Sequence, residues 1–187
     1  MGARLHFLGV GSSHTRGVLG EGGFLILGDR SVVLVDPGPG AAQALAQLKI
    51  AGVDAVLVSQ KERAHDADLV EVKKEPSDEF SIERDEGMFR IRLPDGVIGY
   101  VFDRHKRRDD VDVLVVREEC VKVLEKSRPK LAVLTGFSSA DGQLYHAREL
   151  QKRLGVQTIA AHDGLVVDLV AYGALAEQKT LKGFSKE

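Results

Sequence analysis

Side chains able to bind a ligand or take part in catalysis are densest in residues 54–69, DAVLVSQKERAHDADL, where Gln60, Glu62, His65, Asp66 and Asp68 follow the apolar run 55–58. A short apolar run of this kind reads as a buried strand in a sheet covered on both faces, and the polar residues behind it lead into a helix start. In layered α/β folds, ligands and reacting groups collect at such strand ends. Other arrangements carry less. Ser12, Ser13 and His14 place hydroxyls beside an imidazole, but adjacency within one loop does not build a catalytic triad. Cys120 lies in the helical stretch VREECVKVLEK at a packing position, where free cysteines are inert small hydrophobes. The glycines of GVGSS and DPGPG suit turns. Neither is followed by the Lys-Ser/Thr pair that opens the helix of a phosphate loop, so no nucleotide site is indicated. The run Arg104, His105, Lys106, Arg107, Arg108 is answered by Asp109, Asp110 and Asp112, the pattern of a solvated loop.

The polar stretch resembles the metal-binding signature of the metallo-β-lactamase superfamily, Thr/Ser-His-x-His-x-Asp-His followed shortly by Asp-Leu. In the same frame stand Ser59, Gln60, Lys61, Glu62, Arg63, Ala64 and His65, with Asp68-Leu69 after them. LVDPGPG at 34–40 is similar to the family's Leu-Ile-Asp-x-Gly-x-Gly. IGYVFD at 98–103 resembles its strand ending in the bridging Asp, LAVLTGFS at 131–138 its strand ending in a His, and TIAAHDGLVV at 158–167 its late Ala-x-Asp-Gly turn. The likeness runs from about residue 4 to residue 170. It points to the RNase Z-like, metal-dependent hydrolase branch.

Hydrolysis in that superfamily depends on two metal ions, usually zinc, that share a hydroxide and are bridged by an Asp. The metals bring the pKa of water toward neutrality, polarise the scissile group and clamp the attacking and leaving oxygens. Each needs about three protein ligands and an open position. The resemblance implies that the first site maps to Gln60, Glu62 and Gly136, which offer an amide, a carboxylate and no side chain. The second maps to Ala64, His65, Asp103 and His162. Gln60, Glu62, Ala64 and Gly136 are thus degenerate ligand positions, while His65, Asp103 and His162 could form one reduced metal site. The same three residues also suit ordinary roles: a helix start, a turn cap and a loop histidine. Asp36, with Asp68 behind the motif, corresponds to the carboxylates that brace the metal loop through hydrogen bonds, and such a brace can outlive the metal because the backbone around it still needs partners.

These residues have to be held by strands that come first as hairpins and then alternate with helices. Residues 4–10 read as an opening strand, 24–27 and 31–35 as a hairpin, and 41–48 as a helix after the sharp exit DPGPG. The charged stretch 73–86, with Pro76 and no clear period, reads as a surface excursion or a polar edge. Strands follow at 88–93 and 97–102 around the turn Pro94-Asp95-Gly96, then at 111–116, 131–134, 156–160 and 165–170, with helices at 118–126 and 144–154. That order fits an α/β (α+β) fold, the four-layer αββα sandwich of metallo-β-lactamase type.

At 187 residues with 43% apolar content, the chain suffices for a single core. A single domain over 1–175 and a polar, lysine-containing tail over 176–187 are expected. The net charge of −2 argues against wholesale binding of polyanions, though not against a local basic patch. One cysteine excludes an internal disulfide, no run is long enough to span a bilayer, and no signal segment opens the chain. A cytoplasmic location is expected. The absence of Asn and Trp beside 29% charged residues points to a thermophilic source.

The leading expectation is therefore a divergent member with a degenerate dimetal site and no cofactor, non-catalytic or binding a small molecule or a protein. Its first rival is a metal-dependent hydrolase or phosphoesterase with one zinc on His65, Asp103 and His162. Its second is a nucleic-acid-binding module that uses Arg104, Lys106, Arg107 and Arg108 as an anion-binding rim. Edge strands of the sandwich make a homodimer a further expectation.

Overall fold

The computed structural model describes residues 2–12, 15, 18–21, 23–60, 67–103 and 110–174. The first sheet begins as an antiparallel meander of β1 (Arg4–Phe7), β2 (Phe24–Leu27) and β3 (Val32–Val35). After β3 the chain crosses through helix α1 (Ala41–Gln47) and returns as β4 (Ala55–Leu57), parallel to β3. Period-two alternation decides the faces. Leu25 and Leu34 pair across the ladder and pack outward on Leu45 of α1 with Val53 and Val70, while Phe24, Ile26, Val33 and Val35 face inward.

The second sheet starts as another meander, β5 (Ser81–Asp85), β6 (Met88–Leu93) and β7 (Gly96–Val101). It continues as parallel strands β8 (Val113–Arg117), β9 (Leu131–Thr135) and β10 (Thr158–Ala160). A 3-10 helix, Glu118–Glu125, and helix α2 (Gln143–Leu154) make the crossovers. The last strand, β11 (Val166–Asp168), returns to the first sheet beside β1. The strand orders are β11-β1-β2-β3-β4 and β10-β9-β8-β7-β6-β5. Helix α1 covers one outer face, while Ala147 and Leu150 of α2 and Cys120, Val123 and Leu124 of the 3-10 helix join the core on the other side. The layers are αββα, as the strand and helix order predicts.

Three local readings change. Residues 118–126 form a 3-10 rather than an α-helix, and buried Arg117, Cys120 and Val123 recur every three residues, the stripe that three residues per turn presents. Of the two readings of 73–86, the polar edge applies to β5, whose sequence SIERD has no apolar alternation. It is held by its ladder to β6 and by Glu83, which pairs with Arg90 at 3.2 Å and Arg92 at 3.3 Å, a charged edge of the sort that resists strand addition. Upstream, the same stretch is tied down by buried Asp54, which accepts from Val32 N at 2.7 Å, Ser77 N at 2.7 Å and Lys73 Nζ at 2.9 Å. The helix start expected at 66–70 is a 3-10 turn over Ala67–Leu69 in its described part. The expected tail, 176–187, lies outside the described residues. No helix among the described residues is long and apolar enough to cross a membrane.

Candidate functional site

The parallel strands of both sheets end on one side of the sandwich. The registers Val35↔Leu57, Val101↔Val116, Arg117↔Thr135 and Leu134↔Ala160 align those ends. The residues just past them, Asp36, Ser59, Asp103, Gly136 and His162, therefore surround the mouth between the sheets, where parallel architectures present their ligands.

Asp36 is the best-anchored polar group there. It takes φ +48, a conformation that Asp tolerates better than most residues. Its buried carboxylate accepts three hydrogen bonds: from Ser59 N to Oδ1 at 2.7 Å, from Ser59 Oγ to Oδ2 at 2.6 Å and from Tyr100 Oη to Oδ2 at 2.7 Å. Its own N–H donates to Leu57 O at 2.8 Å. Burial, and then the neighbouring Asp36 carboxylate, hold the Tyr100 hydroxyl far above its ordinary pKa, so it remains a donor. The two sheets are thus tied by one carboxylate between β3, the end of β4 and β7. A Cβ on Gly23 would come within 2.1 Å of Val35 O and 2.3 Å of Asp36 O, so only glycine admits the chain beside this turn. Arg84 of β5 lies over the Phe89 ring at 5.2 Å and donates from Nη2 to Ser59 O at 3.4 Å.

A second polar group closes β8. Tyr100 faces the first sheet, its ring 5.2 Å from Phe24 and 5.7 Å from Phe102. Tyr100 pairs with Val115 in the parallel register, so alternation places Phe102, Arg117 and Thr135 on the same inward face at the mouth. The Arg117 side chain is only 7% exposed, and its Nε donates to Glu119 Oε1 at 2.6 Å. Gly136 makes room for it. A Cβ built on Gly136 would lie 3.1 Å from Arg117 Cζ and 3.2 Å from Nη2, and the backbone there has φ +67. Glu118 points elsewhere, accepting from Ser138 N at 2.8 Å and Ser138 Oγ at 2.6 Å.

On the opposite rim Asp163 ties two loops, accepting from Val10 N at 2.9 Å and Gly20 N at 2.6 Å. Phe137 N in turn donates to Val10 O at 3.0 Å, joining the opening loop to the end of β9.

Of the residues singled out in the sequence, Gln60 is exposed just past β4, and Asp68 is exposed in the Ala67–Leu69 turn. Asp103 is exposed against the β5–β6 turn, its N–H donating to Gly87 O at 3.3 Å. His162 is exposed in a turn, with Nδ1 3.0 Å from Asp163 O and Leu165 N donating to its carbonyl at 3.0 Å. Asp103 and His162 follow β7 and β10, which are separated by β8 and β9; those strand ends stand roughly 14 Å apart. Glu62, Ala64 and His65, and the rim residues Arg104, Lys106, Arg107 and Arg108, lie outside the described residues. Among the described residues, no three His, Cys, Asp or Glu side chains group so as to hold a metal ion. Tyr100 and Arg117 escaped the sequence reading, and Asp163 entered it only as part of the Ala-x-Asp-Gly turn. The available signals were a tyrosine inside an apolar strand and an arginine ending the buried run VLVV.

Comparison with solved structures identifies the fold. The chain is similar to the metallo-β-lactamase fold protein YhfI from Bacillus subtilis, with a TM-score of 0.65 and 13% identity over 88% of this chain and 98% of that one. It is also similar to a structure described as a new diphosphatase from the PhnP family, with a TM-score of 0.57 and 15% identity over 88% of this chain and 97% of the other. No family model matches the sequence, and no curated protein matches it. The architecture is therefore the metallo-β-lactamase fold, shared with hydrolase-like neighbours.

Proposed function

We propose that this chain is a divergent metallo-β-lactamase-fold protein with a degenerate dimetal site, which binds a small molecule at the mouth of the sandwich and does not hydrolyse it. The observation that carries this reading is the Arg117–Gly136 pair. A position that the family resemblance assigns to a metal ligand has no side chain, and a guanidinium packs 3.1 Å from where its Cβ would stand. A fixed positive charge at that point disfavours a nearby divalent cation. Gln60, an amide, supplies no imidazole or carboxylate in compensation. The first-site set of Gln60, Glu62 and Gly136 lacks every imidazole, so zinc does not fit there and no hydrolytic step is assigned to it.

The test is elemental analysis of the purified full-length chain, with hydrolysis assays on phosphodiester, lactam and thioester substrates in the presence of added zinc or manganese. Far less than one metal per chain and no metal-dependent turnover are expected. About one zinc per chain, lost together with an activity in His65→Ala, would overturn the proposal and establish the single-metal hydrolase in its place.

A further inference from the structure

We propose that Arg117, with Thr135 beside it, forms an oxyanion subsite that receives a phosphoryl group of the ligand. The inference rests on reading the mouth as a binding site and adds to it the chemistry of what binds. A guanidinium carries five N–H donors in a rigid fork. Here the Nε–H is committed to Glu119, and among the described residues no acceptor takes the terminal nitrogens. The side chain keeps 7% of its surface exposed. A nine-tenths buried arginine whose outer edge has no acceptor among the described residues is poised to accept a bidentate oxyanion.

The direction of that edge follows from the sheet. Arg117 and Thr135 are register partners on β8 and β9. They share the inward face with Tyr100 and Phe102 and stand one alternation nearer the mouth than Tyr100, level with Phe102. Thr135 is buried and contributes a hydroxyl. Gly136 leaves out the side chain that would otherwise crowd the guanidinium, which lies 3.1 Å from a Cβ built there.

Two described carboxylates near the site are already committed. Asp36 is saturated by Ser59 and Tyr100, and Glu118 is held by Ser138. Glu119, whose side chain is half-exposed, partly neutralises Arg117 from the solvent side. A fixed cation thus provides the phosphate attraction that a metal ion would otherwise supply, without supplying an activated water. That difference suits retention of a ligand over its hydrolysis.

The experiment is calorimetric titration of the full-length chain with inorganic phosphate after treatment with EDTA and buffer exchange, with melting curves to verify folding of each variant. Wild-type protein is expected to bind one phosphate saturably. Arg117→Gln should weaken binding by roughly tenfold or more, and Arg117→Lys should recover part of the loss, because the charge returns without the fork. Should Arg117→Gln fail to fold, Glu119→Gln decides in its place: freeing the guanidinium from its internal carboxylate should tighten phosphate binding several-fold. Absence of saturable binding in the wild type, or unchanged affinity in both Arg117→Gln and Glu119→Gln, would overturn the inference. Phosphate binding that requires added zinc would overturn both this inference and the non-hydrolytic reading. Binding through Arg117 in chelated protein that nevertheless hydrolyses substrates when zinc is added would overturn only the latter.

Discussion

Replacement of Asp36 tests whether the mouth is held together by one buried carboxylate. In Asp36→Ala three donors lose their acceptor: Ser59 N–H, Ser59 O–H and Tyr100 O–H, in residues 6% and 3% exposed. Unpaired buried donors cost about 1–3 kcal/mol each. Rotation of the two hydroxyls and relief of the carboxylate's own burial offset part of that sum. Alanine at φ +48 adds about 1 kcal/mol of backbone strain. The expected net loss is about 3–5 kcal/mol, or roughly 6–20 °C in melting temperature for a chain of this size.

Companion variants separate the contributions. Asp36→Asn keeps tolerance of the left-handed backbone and one acceptor oxygen, so it should cost about 2 kcal/mol. Asp36→Gly removes the same hydrogen bonds as Asp36→Ala without the strain, and the difference between the two should be about 1 kcal/mol. Tyr100→Phe removes a single donor and leaves the carboxylate two partners, so it should be the mildest, at about 1 kcal/mol. Thermal and urea unfolding followed by circular dichroism would measure the series. An Asp36→Ala melting temperature within about 2 °C of wild type, or Tyr100→Phe costing more than Asp36→Ala, would refute the assignment of Asp36 as the tie between the sheets.

Two further outcomes follow from charge. Burial alone would raise the pKa of Asp54, but its hydrogen bonds from Lys73 and from the backbone of Ser77 and Val32 outweigh burial and hold it below the ordinary carboxylate value. Because the folded pKa is the depressed one, the unfolded chain takes up the proton first as pH falls; the stabilisation is complete above about pH 4 and disappears as pH drops through the folded value. Stability measured against pH should therefore show an acid limb that is flattened in Asp54→Asn, and an identical limb in that variant would dismiss the role. Replacing Arg104, Lys106, Arg107 and Arg108 together with Ala should change stability by no more than about 0.5 kcal/mol. If the rim serves nucleic acid, wild-type binding should fall steeply with salt and vanish in the variant; no salt-sensitive RNA or DNA binding by wild-type protein would eliminate that rival.

The sequence by itself determined where most of the strands lie. FLIL, VVLV and VLVV are apolar runs bounded by turn residues, and burial of both sheet faces leaves such runs few alternatives. The excursion DPGPG and the turn Pro94-Asp95-Gly96 were equally legible, because proline and glycine act on the local backbone. Strand β5 was harder to place. SIERD has no apolar period, and its position depends on a ladder and on ion pairs with β6 that no local pattern encodes. The 3-10 form of Glu118–Glu125 was likewise decided by packing, which buries Cys120 and Val123 in a stripe of three-residue spacing.

The mouth shows the same division more sharply. Asp36 could be named from LVDPGPG, but its partner Tyr100 lies 64 positions away and meets it only because the two sheets stack face to face. Gly136 could be singled out as a lost ligand position, but Arg117 is unremarkable as a letter at a strand end. Parallel pairing of β8 with β9 makes them neighbours, and alternation turns the arginine inward. Local patterning specifies elements because it depends on residues within a few positions. A binding mouth is assembled from groups whose proximity comes from register and sheet stacking, and those are properties of the folded chain.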